Sequence, residues 1–284
     1  MGTEKEKYKI AILDNCEIEL LRCLRNEKVP VEETLGSYDY ILIPGWVWKE
    51  VCDSGYRKAY IHALIREGYP VKILPEKKYV KLVNEELTLL SLFEMGIRPY
   101  GLLMRYLHRD ILKGKEKVDI EYLYEEWISL IYEEWPLAGK VITDSSGMQR
   151  TQKKNAGEIS IAFLAHVLAY QKKKDVEITI WTHDADCRLC VNEISKQLEK
   201  STYISLRAGA FFSYKNFDNI LQELLKNKHI DRSEACRLID KMREERKITY
   251  TRYKEDDTTE LRVERIDNER FKELLIDETI DLIW

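Results

Sequence analysis

Apolar residues in this chain gather into short β-branched runs that alternate with longer segments of helical period. YKIAIL at 8–13 reads as a buried strand ended by Asp14, and 16–25 reads as a helix that offers Ile18, Leu20, Leu21 and Leu24 for burial. YILIP at 40–44 is a second apolar run, broken by Pro44 and Gly45, which places Glu50 on the first or second turn of a new helix. A helix over 56–67 then leads to a strand over 69–74. The stretch 79–137 is almost wholly helical in pattern: Val80, Val83, Leu87 and Leu90 share one face, and Ile120, Leu123, Tyr124, Trp127 and Ile131 repeat the period. Trp127 and Trp135 fit that stripe as core residues rather than as stacking surfaces for bases.

Gly139, Gly147 and the polar run QRTQKKN interrupt the pattern, so 138–154 reads as a strand-like VIT and a loop. Helix 156–171 is apolar around most of its circumference and belongs inside, against a sheet. The strand EITIW follows at 177–181, then a helix over 185–199 and the short strand YISL at 203–206. This alternation predicts an α/β fold with a mostly parallel central sheet. Beyond residue 217 the pattern gives two helices, 218–228 and 232–245, the second opened by the capping box Asp231-x-x-Glu234. A terminal β-hairpin over 247–253 and 260–266 and a final helix over 268–275 complete the chain.

Composition narrows the class. With 284 residues, 44% of them apolar, the chain can bury one large domain and a modest appendage. Lys plus Arg number 46 against 50 Asp plus Glu, a net charge of −4, which disfavours a globally basic nucleic-acid binder but allows a local basic rim. The apolar run at 159–169 is far short of the roughly 20 residues of a membrane span. The charged N-terminus shows no secretory signal, and six scattered cysteines fit a reducing, cytoplasmic compartment. Cys187-x-x-Cys190 lacks a partner pair and reads as two packed thiols.

The chemistry lies in acidic residues that follow strands or open helices: Asp14, Glu50, Glu158, Asp184 and Asp186. In a parallel sheet with right-handed crossovers the strand carboxyl ends share one edge, so these side chains would converge. Clustered carboxylates repel by roughly 4 kcal/mol per pair at 4 Å under an effective dielectric near 20, so the cluster calls for a cation. Oxygen-only ligation suits Mg²⁺ or Mn²⁺. Each residue alone has a plainer role, since Asp14-x-x-Glu17 and Asn155-x-x-Glu158 match capping boxes and Asp184 can cap the helix after it. Arg150, Lys153 and Lys154 precede Glu158, where a helix N-terminus with nearby cations favours phosphate; a solvated loop is the equal alternative. For His183, flanked by carboxylates, plain exposure beside the strand end is the simpler reading.

Four segments in this order resemble the PIN domain family of metal-dependent nucleases: AILDN at 11–15, ILIPGWVWKEV at 41–51, NAGEISIAFLA at 155–165 and ITIWTHDADC at 178–187. The segment 224–245 is similar to the tail of small PIN proteins. The resemblance implies a three-layer α/β sandwich over 1–245, with a helical insertion at about 79–145 and a small appendage of hairpin and helix over 246–284. It implies a catalytic metal site of Asp14, Glu50, Glu158 and Asp184, with Asp186 as a further member and Thr182 as a minor contributor. It further implies an endoribonuclease, RNA ahead of DNA, acting as a toxin or antiphage effector, with a homo-oligomer contact and an inhibitor or partner protein left open. A catalytically inactive binding or scaffold protein is the alternative. A Rossmann-type nucleotide binder is disfavoured because LDNCEIE at 13–19 has no Gly-rich turn.

Overall fold

The computed structural model describes residues 7–83, 86–115, 126–170, 176–200, 212–254 and 258–283. It divides into two compact units, one of Met1–Glu19 with Leu35–Ser213 and the other of Leu20–Thr34 with Tyr214–Trp284. The C-terminal segment 246–284 thus shares its unit with 214–245 and with 20–34.

The first unit is built on β1 (Tyr8–Leu13), β2 (Tyr40–Pro44), β3 (Val71–Leu74) and β6 (Val176–Trp181) in a five-stranded sheet of order β3-β2-β1-β6-β7. The pairings of β1 with β2, β2 with β3 and β1 with β6 are all parallel. β1 and β6 are buried along their last four residues, as apolar runs in a sheet covered on both faces must be. The fifth strand is β7 (Phe212–Lys215), whereas the expected strand at 203–206 lies outside the described residues. Successive strands β1, β2 and β3 march one way from β1, and β6 lies on its other side. The crevice beyond β1 and β6 is therefore a topological switch point, where open α/β sheets bind ligands.

Helices α1 (Asn15–Asn26), α3 (Gly45–Val51) and α4 (Gly55–Arg66) match the pattern closely, and a one-turn helix α2 (Glu32–Leu35) was not anticipated. The region after residue 75 is less uniform than its periodicity predicts. It comprises a 3-10 helix over Glu76–Leu82, α5 (Glu86–Ile97), α6 (Gly101–Tyr106) running into a π-helical turn, and α7 (Trp127–Glu133). The expected face of Ile120, Leu123 and Tyr124 lies outside the described residues. Trp127 and Trp135 are buried, and Trp46 packs against Trp135, Tyr132 and Phe93, so these aromatics are core.

The loop expected over 144–154 is a correction. Residues 149–153 form β5 (Gln149–Lys153), antiparallel to β4 (Ala138–Thr143), in a two-stranded ribbon. QRTQK carries no apolar alternation, because a ribbon exposed on most of its surface has nothing to bury. Its turn is held instead by Asp144, whose Oδ1 accepts from the Ser146 and Met148 amides, and by Gly147 at φ 86°.

Helix α8 (Ala156–Tyr170) is buried from Ala156 to Leu168 apart from half-buried Glu158, and it packs on β1, β2 and β6 as well as on α3 and α5. An all-round apolar helix is stable only in such a position, each large side chain contributing roughly 1.5–3 kcal/mol by burial. Helix α9 (Ala185–Lys200) lies against α8 and buries Cys187 and Cys190 as free thiols, as the pattern indicated.

The second unit holds α10 (Phe217–Lys226), α11 (Arg232–Met242) and α12 (Asn268–Ile276) with a three-stranded antiparallel sheet of order β10-β8-β9. Strands β8 (Arg246–Tyr253) and β9 (Thr259–Ile266) form the expected hairpin. Strand β10 (Ile280–Ile283), beyond the helix expected to end the chain, adds a third strand. Four residues, IDLI, are too few to register as a period. Gln222 secures this strand, donating to the Ile280 carbonyl at 2.9 Å and accepting from the Leu282 amide at 3.1 Å. Among the described residues, no helix is long and apolar enough to cross a membrane.

Candidate acidic site

Parallel pairing of β1 with β6 in the register Leu13↔Trp181 brings Asp14 and Thr182 side by side as the two strands end. The Asp14 amide continues the ladder to the Trp181 carbonyl at 3.0 Å. Thr182, fully buried, donates its hydroxyl to Asp14 Oδ2 at 2.7 Å. Its Oγ1 also accepts from the Asp184 amide at 3.0 Å, and Asp184 Oδ1 accepts from the Asp186 amide at 2.7 Å. A chain of hydrogen bonds thus runs from Asp14 through Thr182 to Asp184 and Asp186. Asp184 does cap α9, as the plainer reading held.

Asn155 extends this chain. Its Nδ2 donates to Asp186 Oδ2 at 3.4 Å and to the Tyr100 hydroxyl at 2.8 Å. The residue adopts φ 58°, a left-handed conformation that asparagine tolerates, and this turns the backbone from β5 into α8. One turn into α8, Glu158 comes under the charge of Asp14, Asp184 and Asp186. Gly157 gives room for the remaining member: a Cβ there would stand 3.0 Å from Glu50 Oε1. In place of the capping box read for Asp14-x-x-Glu17, Asp14 Oδ1 accepts from the Asn15 amide at 2.6 Å and the Glu17 carboxylate turns to His183 Nδ1 at 3.0 Å.

The helix that carries Glu50 is itself anchored by a carboxylate the sequence pattern did not single out. Glu76, 4% exposed, accepts at Oε1 from the Trp46 amide at 2.7 Å and from the Ser160 hydroxyl at 2.5 Å. It satisfies a first-turn N–H of α3 and favours the positive helix end. Gly45 is required here, because a Cβ would meet the Pro75 Cα at 2.9 Å and the Glu76 carboxylate. Only the break at Pro44-Gly45 signalled this arrangement in the sequence.

The electrostatics follow from burial with too little positive charge. Desolvation, then the charges of Asp14, Glu158 and Asp53, push Glu50 up to about 9, with Arg150 opposing. Desolvation, then Asp14, Asp184 and Asp186, push Glu158 up to about 8. Asp14 is also raised, chiefly by burial, although hydrogen bonds from Cys16, Thr182 and Asn15 pull against the shift. Without a cation, part of this cluster therefore holds protons at neutral pH.

The basic residues are engaged nearby rather than lined up on the cluster. Arg150 makes a two-pronged ion pair with Asp53, its Nε donating to Oδ1 at 2.9 Å. Lys153 donates to the Tyr132 and Glu133 carbonyls and lies 4.3 Å over the Tyr132 ring. Lys49 sits 3.9 Å over that ring, and burial and the neighbouring cations bring Lys153 down to about 8. Lys154 is exposed.

All five carboxylates of the set offer oxygen alone, and they come from four separate elements around the switch point, although no three of them bring carboxylate oxygens within 4.8 Å of one another. That donor chemistry fits a hard divalent cation. Comparison with known proteins gives no match: no family model, no curated protein and no solved structure is similar to this chain.

Proposed function

We propose that this chain is a PIN-like, divalent-metal-dependent nuclease that hydrolyses phosphodiester bonds, RNA ahead of DNA. What supports the reading is that Asp14, Glu50, Glu158, Asp184 and Asp186 lie near enough to act on one another by charge or hydrogen bond beside the β1–β6 switch point, with burial that raises Glu50 and Glu158. Mg²⁺ or Mn²⁺ held there would lower the pKa of water and counter charge developing on the phosphoryl group.

The chain's own residues account for the rest. Asp14, Glu50, Glu158 and Asp184 would hold the cation, and Asp186 would adjust the site through its bond to Asn155. Thr182 fixes the Asp14 carboxylate. Glu50 and Glu158, raised to about 9 and about 8, would give up protons on holding a cation. Arg150, whose charge partly offsets that of Glu50, and the nearby Lys153 and exposed Lys154 would attract a polyanion. The preference for RNA, a cytoplasmic setting as toxin or antiphage effector, and a PIN-type three-layer architecture with 79–145 as its insertion rest on the sequence resemblance.

The test is cleavage of single-stranded RNA and DNA by the purified protein with Mn²⁺ or Mg²⁺. Wild type should cut RNA, and Asp14→Asn and Asp184→Asn should abolish cutting with circular dichroism and melting nearly unchanged. Undiminished cleavage by both variants would sink the assigned site. No cleavage of either nucleic acid with either metal would replace the nuclease with a binding or scaffold protein.

A further inference from the structure

Beside the acidic site, and independent of the nuclease reading, lies a second donor set of different chemistry. Cys16 and Glu17 occupy the first turn of α1, and His183 sits between Thr182 and Asp184 in the β6–α9 connection. Their donor atoms, Cys16 Sγ, a Glu17 carboxylate oxygen and a His183 ring nitrogen, all lie within 4.8 Å of one another. We propose that Cys16, Glu17 and His183 form a binding site for a thiophilic divalent cation, Zn²⁺ foremost.

The donors fit that ion in kind, number and reach. One thiolate, one imidazole nitrogen and one carboxylate oxygen are three of the ligand types zinc takes, and three protein ligands leave a tetrahedral ion one open position. Zinc–ligand bonds of about 2.0–2.3 Å put tetrahedral donor pairs roughly 3.3–3.7 Å apart. Glu17 Oε1 and His183 Nδ1 stand 3.0 Å apart, a little closer than a shared ion would hold them, and Cys16 Sγ lies within 4.8 Å of both. Glu17 is fully buried, whereas the His183 side chain is 43% exposed and so has room on its solvent side.

Burial, then the charges of Asp14 and Glu17, push the Cys16 thiol up, and a hydrogen bond from the His183 backbone opposes the shift. A cation held between these three side chains would offset that repulsion and favour the thiolate. Cys16 Sγ now donates to Asp14 Oδ2 at 3.0 Å. Binding would replace that S–H bond with a metal–sulfur bond and send the thiol proton to solvent. The acidic set contains no sulfur or nitrogen donor, so the two sites differ in preference: hard cations at the carboxylates, a softer one here.

The experiment titrates the metal-free, full-length protein with Co²⁺ under a non-thiol reductant, then displaces it with Zn²⁺. One equivalent of Co²⁺ should give tetrahedral d–d bands with thiolate-to-cobalt charge transfer, and Zn²⁺ should erase both. Cys16→Ser should abolish the charge-transfer band, and His183→Ala should weaken Co²⁺ binding by about tenfold or more. Circular dichroism should show both variants folded. Asp184→Asn should keep the band, which separates failure here from failure of the nuclease site. A wild-type protein without the band, or a band that survives in Cys16→Ser, overturns the proposal.

Discussion

Asp218 in the second unit and Asp14 in the first are buried aspartates with 3% and 5% exposure, yet they sit in opposite electrostatic settings. Asp218 is gripped by two guanidiniums: Arg243 Nε donates at 3.1 Å, and Arg246 donates to both carboxylate oxygens. Arg243 is fastened in turn by Asn268 Oδ1 at 3.1 Å and stands 4.1 Å over the Phe271 ring. Asp14 is surrounded by neutral donors, Asn15 N–H, Cys16 S–H and Thr182 O–H, and by the charges of further carboxylates. The first arrangement closes a small fold around a charge-balanced ion cluster, with one buried nitrogen of Arg243 left without a hydrogen bond. The second keeps negative charge in excess, which is unfavourable until a cation arrives.

The comparison is broken most directly at Arg243. Arg243→Ala leaves a buried carboxylate short of a partner and should cost about 3–5 kcal/mol, read as a fall in the urea midpoint. A loss under about 1 kcal/mol would mean that Asp218 needs no such pairing.

The opposite sign is expected in the acidic site. Glu158→Gln removes a charge that its neighbours oppose, so the cation-free protein at pH 8 should gain on the order of 2 kcal/mol. The same variant should lose most of the stabilisation that Mn²⁺ gives wild type. A lower melting temperature without metal would show that Glu158 contributes to the fold as an ion.

Next comes pH. The usual glutamate value is 4.5, and the folded values are about 9 for Glu50 and about 8 for Glu158, so between these limits the folded protein holds protons the unfolded chain has released. The stability they contribute is fully present below pH 4.5 and is lost as pH rises through 8 to 9. His166, buried and brought down to about 4, acts in the other sense, its contribution falling away below pH 6.5. Melting of cation-free protein should therefore decline from pH 6.5 to 9, and the increment added by Mn²⁺ should grow over the same range. A flat profile would remove the strain from the acidic site.

The smallest effect is expected at Arg150. This residue pairs with Asp53 and partly offsets the charge on Glu50, so Arg150→Met should cost about 1 kcal/mol and move the decline to higher pH. An unchanged pH profile would show that the guanidinium serves Asp53 alone.

Much of this was legible in the chain. The runs YKIAIL, YILIP and EITIW are apolar and β-branched because the strands they form are covered on both faces, so strands β1, β2 and β6 were plain, as was the all-round apolar α8. The candidate carboxylates were legible as residues just past strand ends or early in the helices that follow. Less legible were β5, which buries too little to leave a period, and β10, which is too short to show one. Glu76 was hidden because its role lies in a contact across 30 residues, to the Trp46 amide. Cys16 and Glu17 read as an ordinary helix start until His183 was seen above them.

Local pattern, then, determined which segments are strands and helices, and which acidic residues stand where strands end. Only the tertiary structure decided which strand lies beside which. The pairing of β1 with β6, 168 positions apart at Thr182 and Asp14, depends on burying both strands in one sheet, and no short-range periodicity encodes a partner. That pairing turns separate acidic residues into a charged site, and it sets His183 over Cys16 and Glu17.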